Sequence, residues 1–327
     1  MPLLKKRRNL AMGKIKKPKL IVTLPPVYQD ELLRKIVSHP LVDAVRYNTG
    51  IDSLYSPAKT IGVIKNQTDR FGKTLYVDFK GQQLRVAEWA NPPLGAIVLN
   101  NPIEVELPAK VFFRGDDCCD LKGVANGNKI YVDPLPKHPV GKGQAVNILA
   151  KSLKIKNYLT NNDFDYAEAA VRVGVRNFML SFVDSLGYVE AFQNLLESNC
   201  VGDEESRKLK IILKIESESG MNFIARTEPK LLQKYQLMAA RDDLMIQIGG
   251  LKMLTALKFI IKKDPEAICA SRLMLGLENG DVSLADISDL ELMQSLGYGQ
   301  FMLSDGISRE HFEKAIKFWQ EYKGGEK

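Results

Sequence analysis

The sequence predicts an α/β protein: one (β/α)8 TIM barrel with a small β-rich lid inserted after its third strand. Three observations predict it. Eight short apolar or β-branched runs recur between residue 19 and the end of the chain, and stretches with apolar residues at helical spacing lie between them. One interval, residues 86–147, breaks that rhythm with strand-like runs among prolines and glycines. Eight strand–helix units in 327 residues have the number and length that close a barrel, whereas an open doubly wound sheet has no reason to stop at eight.

Taken in order, the strands are expected at residues 19–24 (KLIVTL), 43–49 (DAVRYNT), 74–80 (TLYVDFK), 177–183 (NFMLSFV), 210–216 (KIILKIE), 237–241 (LMAAR), 267–272 (AICASR) and 300–304 (QFMLS). Most lack polar alternation, as parallel strands covered on both faces do. Leu32, Leu33, Ile36 and Val37 mark the helix after the first strand. Tyr166, Ala167, Ala170 and Val171 mark the one before the fourth, and Val189, Phe192, Leu195 and Leu196 the one after it. Phe312, Ala315, Ile316 and Trp319 mark the last. Asn161 or Asn162 is the expected N-cap of the helix before the fourth strand, with Asp163 and Asp165 in its first turn and Gly174 as its stop. The barrel is therefore assigned to residues 19–85 and 148–327. The lid, 86–147, is expected to carry strands at 96–99, 103–107, 110–113 and 129–132. A loop after a barrel strand lies on the catalytic face, so an insertion there covers the site.

Composition excludes several classes. No apolar run reaches the roughly 18–20 residues of a membrane span. The basic start is not followed by the apolar stretch of a secretory signal. Cys118, Cys119, Cys200 and Cys269 form no disulfide framework, so a reduced, cytoplasmic protein is expected. The net charge of +7 belongs to one end: residues 1–20 hold eight bases and no acid, and without them 38 bases face 39 acids. Residues 1–18 are read as a solvated basic tail, the only part suited to nucleic-acid phosphates. The body is electrically balanced, and a small anionic metabolite is expected as its partner from the charged groups at the strand ends. Nothing in the sequence speaks to the oligomeric state.

Catalytic groups of such barrels gather at the C-terminal strand ends. Those ends carry Arg46 and Asn48, Asp78 and Lys80, Ser181, Lys214 and Glu216, Arg241 and Asp243, Ser271, and Ser304. His39, His138 and His311 all lie elsewhere, which argues against imidazole catalysis or a histidine metal site. Glu216 and Asp243, on adjacent strands, suit a hard divalent ion, Mg²⁺ or Mn²⁺. Lys214 precedes Glu216 by two and so faces the same way; with Arg46 it would neutralise a phosphoryl or carboxylate group beside the metal. The structural alternative is a set of salt bridges closing the barrel mouth. The acidic run at residues 115–120 reads as a lid turn more readily than as a metal site, and residues 244–254 form only a weak phosphate-loop pattern.

The order of several short motifs resembles the pyruvate kinase family across nearly the whole chain from Lys19 onward. Residues 19–25 (KLIVTLP) and 45–49 (VRYNT) resemble its opening strands, and Asp78-Phe79-Lys80-Gly81 with Arg85 resembles its Asp-Thr-Lys-Gly and following Arg. Residues 127–133 (GNKIYVD) resemble the start of its lid, and Ser181-Phe182-Val183 its return to the barrel. Lys214-Ile215-Glu216 matches Lys-Ile-Glu, residues 240–244 (ARDDL) match Ala-Arg-Gly-Asp-Leu, and Cys269-Ala270-Ser271 and Met302-Leu303-Ser304 echo the last two strands. The resemblance implies that Glu216 and Asp243 bind the divalent metal, that Lys214 stabilises the phosphoryl group in flight, and that Arg46 grips phosphate. It places Ser271 near the proton-transfer path and Ser181 and Asn48 in the phosphate and monovalent-ion region. It gives a substrate carboxylate to the backbone around Arg241 and Asp242, and leaves Asp78, Lys80 and Arg85 toward the cofactor side, with ATP or ADP as the implied nucleotide.

Departures from the family pattern matter equally. Gly50 and Phe79 replace a Ser and a Thr, which argues against carrying over the monovalent-cation (K⁺) site. Asp242 replaces a Gly at the carboxylate-binding turn, Pro134 replaces the second Asp of the lid motif, and Gly306 replaces a Glu. The chain ends one helix past the eighth strand, where the family continues into a C-terminal domain. Three functions follow: metal-dependent phosphoryl transfer on phosphoenolpyruvate, pyruvate or a similar small oxoacid; a metal-dependent 2-oxo acid lyase or aldolase without nucleotide; or a non-catalytic binding protein of the same fold.

Overall fold

The computed structural model describes residues 16–51, 53–93, 95–113 and 117–325. Eight parallel strands close a barrel in sequential order: β1 (Lys19–Thr23), β2 (Ala44–Asn48), β3 (Thr74–Phe79), β4 (Asn177–Leu180), β5 (Lys210–Ile215), β6 (Gln236–Ala240), β7 (Ile268–Ala270) and β8 (Gln300–Met302), with β8 paired back on β1. Each strand presents alternate residues to the two sides. The outward set packs on the surrounding helices through Leu20, Val22, Val45, Val77, Phe178, Leu213 and Phe301. The inward set fills the barrel with Ile21, Ala44, Met179, Ile212, Met238, Ala240, Ile268, Ala270 and Met302. One step further along the strands the inward positions turn polar, and buried Thr23, Arg46, Asn48, Asp78, Ser181, Lys214 and Glu216 form a layer above that apolar plug. The parity of the strands thus aims charged side chains at one mouth of the barrel.

The helices form where apolar spacing and caps coincide. The helix Asn161–Arg172 is capped by neither expected asparagine: Thr160 is its N-cap, in a capping box with Asp163, because a hydroxyl three residues before an acid satisfies two orphan amides at once. Gly174, at φ +84°, follows its end.

A separate antiparallel sheet of five strands, ordered Ile97–Val98, Lys129–Asp133, Asp117–Ala125, Ala109–Phe113, Val146–Leu149, lies between β3 and β4 with its own core of Val111, Phe113, Cys119, Leu121, Ile130 and Ile148. Two expectations are corrected here. The run read as a turn contributes Asp117–Ala125, the longest strand of the lid; Gly115 and Asp116 fall outside the described residues, as does the tail up to residue 15. Its acids hid a period of two: Asp117, Cys119 and Leu121 point inward while Cys118, Asp120 and Lys122 do not. The run expected at 103–107 keeps only Ile103–Glu104, which pairs with Lys154–Ile155 in a ribbon beside the sheet.

Candidate active site

Asp78, at the end of β3, is fully buried and organises the mouth of the barrel. One carboxylate oxygen accepts from Arg46 Nε at 2.8 Å, Lys80 Nζ at 3.0 Å and Lys214 Nζ at 3.3 Å, and is also paired with Arg46 Nη2. The other accepts from Ser181 Oγ at 3.3 Å. Lys214 donates to Ser181 Oγ at 2.8 Å and stands 3.1 Å from Glu216 Oε1, as expected of residues two apart on one strand. Arg46 reaches across the barrel to Thr23 Oγ1 at 3.1 Å and Asp305 Oδ2 at 2.9 Å, while Asn48 donates to Asp305 Oδ1 at 3.2 Å.

Besides the Lys214 ammonium on Glu216, the two carboxylates expected to hold a metal are fixed by neutral donors. Glu216 Oε2 accepts the backbone N–H of Phe182 at 2.6 Å, aimed by a left-handed turn at φ +53°. Asp243, in the first turn of the helix Arg241–Ile248, accepts from Asn147 Nδ2 at 2.8 Å and Gln83 Nε2 at 3.4 Å; Asn147 in turn accepts from Gln247 at 3.1 Å. The lid therefore reaches the barrel through Asn147.

Charge follows this layout. Burial alone would raise the Asp78 carboxyl, but Lys214, Lys80 and Arg46 outweigh it and hold the group well below the usual carboxylate range. Burial opposes the Lys214 charge, yet Asp78 and Glu216 raise the group above its ordinary value. Lys80 moves the other way: burial and the charges of Lys214, Arg46 and Arg85 push it well down despite Asp78. Burial raises Glu216 despite Lys214, with the nearby charge of Asp243 adding to the rise, and burial also raises Asp243. Two carboxylates that resist ionising side by side are a donor set that gains from a divalent cation. No group of three or more His, Cys, Asp or Glu that could hold a metal ion occurs among the described residues.

Glu216 and Asp243 share a cavity of about 660 Å³ with Arg46, Asn48, Lys80, Arg85, Lys214, Asp242 and Ser271. A family model described as pyruvate kinase, barrel domain, matches residues 115–305. The chain belongs to the pyruvate kinase family. A curated relative, pyruvate kinase 2 of Candida glabrata, is 23% identical over 259 residues, covering 75% of this chain and 45% of that protein. The chain thus spans less than half the length of the curated relative it matches.

In this pyruvate kinase-family barrel, most of the residues singled out from sequence converge. Asp78 and Ser181 bond directly to those lining the cavity. Arg241 does not line it. Met238 and Ala240 face inward, so the next residue faces out, and Arg241 forms a two-pronged pair with Asp289 at 2.7 and 2.9 Å and donates to the Ser271 carbonyl. Expected as the end of a strand, Arg241 instead opens a helix, between the cavity-lining residues Ala240 and Asp242. Sequence reasoning missed Asp305, Gln83, Asn147 and Arg272, all of which line the cavity. Asp305 follows Ser304 directly, and an acid just past a strand end was its available signal. Gly50 has a local reason: a Cβ there would meet the Arg85 guanidinium carbon at 2.7 Å, so the missing side chain makes room for Arg85.

Proposed function

We propose that this chain is a divergent, divalent-metal-dependent phosphotransferase acting on phosphoenolpyruvate, pyruvate or a similar small oxoacid. The observation that carries the reading is Lys214, seated between Asp78, Ser181 and Glu216 in a cavity that also holds Asp243. Glu216 and Asp243 would hold Mg²⁺ or Mn²⁺, which when bound supplies Lewis-acid polarisation of substrate oxygens. Lys214 remains protonated and presents its charge to a transferring phosphoryl group, and Arg46, fixed by Asp78 and Asp305, faces the same group. Ser271, half-buried on the cavity wall, would be the hydroxyl that passes a proton. Lys80 already pairs with Asp78, so the reading carries no K⁺ requirement.

One observation favours a second reading, enolate chemistry on a 2-oxo acid without nucleotide. Arg85, assigned to the cofactor side, spends its guanidinium on Gln83 at 2.8 and 3.2 Å and on the Gly143 carbonyl at 2.5 Å.

Calorimetric titration of Mn²⁺, then of oxalate as an enolpyruvate mimic, into wild type and Glu216→Ala tests the metal centre. Wild type is expected to bind both and the variant to lose both; a wild type that binds neither leaves the carboxylates structural. Transfer of phosphate from phosphoenolpyruvate to ADP with Mg²⁺ then separates the readings, because the lyase reading predicts none and instead expects metal-dependent exchange of pyruvate methyl protons.

A further inference from the structure

The cations facing the cavity are not equally engaged. Arg46 is bonded to Asp78, Thr23 and Asp305, Lys80 to Asp78, Lys214 to Asp78 and Ser181, and Arg85 to Gln83 and Gly143. Arg272 differs. Among the described residues it makes no hydrogen bond, and its sole ion pair is a loose one to Asp242 at 3.5 Å. Its side chain lines the cavity and keeps 37% of its exposure, so the guanidinium fork is within reach of a bound ligand. Its backbone is held at φ +53°, directly after Ser271 at φ +63°. Two consecutive non-glycine residues in the left-handed region carry a backbone cost and persist where surroundings or function demand them.

The neighbouring helix explains why a cation stands here. The helix Arg241–Ile248 carries Asp242 and Asp243 in its first turn, where carboxylates already answer the positive end of the helix dipole. An incoming carboxylate would meet that negative charge before it met the backbone N–H groups.

We propose that Arg272 receives the carboxylate of the substrate in this chain, in place of the amides of residues 241–243, with Asp242 as the positioning residue that holds the fork toward the cavity. The assignment rests on the metal-centred reading above and adds to it: the substrate is an acid whose carboxylate points away from Lys214, toward the β6–β7 wall. An arginine fork suits a planar carboxylate through two parallel hydrogen bonds.

The test is calorimetry of Mn²⁺ alone and of oxalate onto the Mn²⁺-loaded protein, for wild type, Arg272→Gly and Arg272→Lys. Glycine accepts the left-handed backbone without strain, so Arg272→Gly removes the side chain and keeps the fold. Mn²⁺ affinity is expected unchanged in both variants. Oxalate is expected to bind about 10- to 100-fold more weakly to Arg272→Gly, the worth of a charged hydrogen bond, with Arg272→Lys in between. Wild-type oxalate affinity in Arg272→Gly overturns the assignment and leaves the metal-centred reading standing. A wild type that binds neither Mn²⁺ nor oxalate overturns both.

Discussion

Asp78 compensates more positive charge than any other residue of the cavity layer, with Arg46, Lys80 and Lys214 around one carboxylate. Asp78→Asn leaves three buried cations short of their common partner and is expected to cost about 3–5 kcal/mol in chemical denaturation. The pH dependence has a definite sign. A carboxyl whose folded pKa is depressed contributes stability that is full above its unfolded value, about 3.9, and is lost as pH falls toward the folded value. Wild type is therefore expected to lose stability steeply below about pH 4, and Asp78→Asn to show a flatter acid limb in a series of denaturant titrations. This much of the site was legible because Asp78, Lys214 and Glu216 follow strand parity, which a sequence displays directly. Asp305 and Arg272 were not, since each lies beyond its strand, where position depends on a turn whose geometry no periodicity records.

At the scale of elements, one contact between lid and barrel runs through a single side chain. Asn147, on the last lid strand, donates to Asp243 and accepts from Gln247. Asn147→Ala removes a hydrogen bond to a charged group, worth about 1.5–3 kcal/mol, and is expected to speed amide exchange in Val146–Leu149 about tenfold or more while the barrel strands keep their protection. Unchanged exchange in that strand would show that the lid is held by its other contacts. The barrel strands were readable as buried apolar runs, and the lid as a change of rhythm. The lid's inner pairings were harder: Asp117–Ala125 pairs on both edges, and its acids, Asp117 inward and Asp120 outward, gave it the composition of a loop. The outward turn of Arg241 shows the same limit, because one residue of error at a strand end exchanges cavity for helix packing.

For the whole molecule, the positive charge and the cavity belong to different places. Lys16 already touches the barrel, pairing with Glu266 at 2.8 Å, so a truncation that spares the fold stops at residue 15. Removal of residues 1–15 is expected to abolish salt-sensitive retention on heparin and to leave Mn²⁺ affinity unchanged; retention that survives places the polyanion surface on the barrel. The lid has a consequence of another kind, for the order in which the chain assembles. Strands β3 and β4 pair Tyr76 with Asn177, about one hundred residues apart, and about two thirds of the intervening chain is the lid. Because the lid packs around a core separate from the barrel's, its early collapse brings the two strand ends together. Shortening an effective loop of about 100 residues to about 35 lowers the entropic cost of closure by about 0.9 kcal/mol, so the cover of the site also acts as a splint for closing the barrel beneath it.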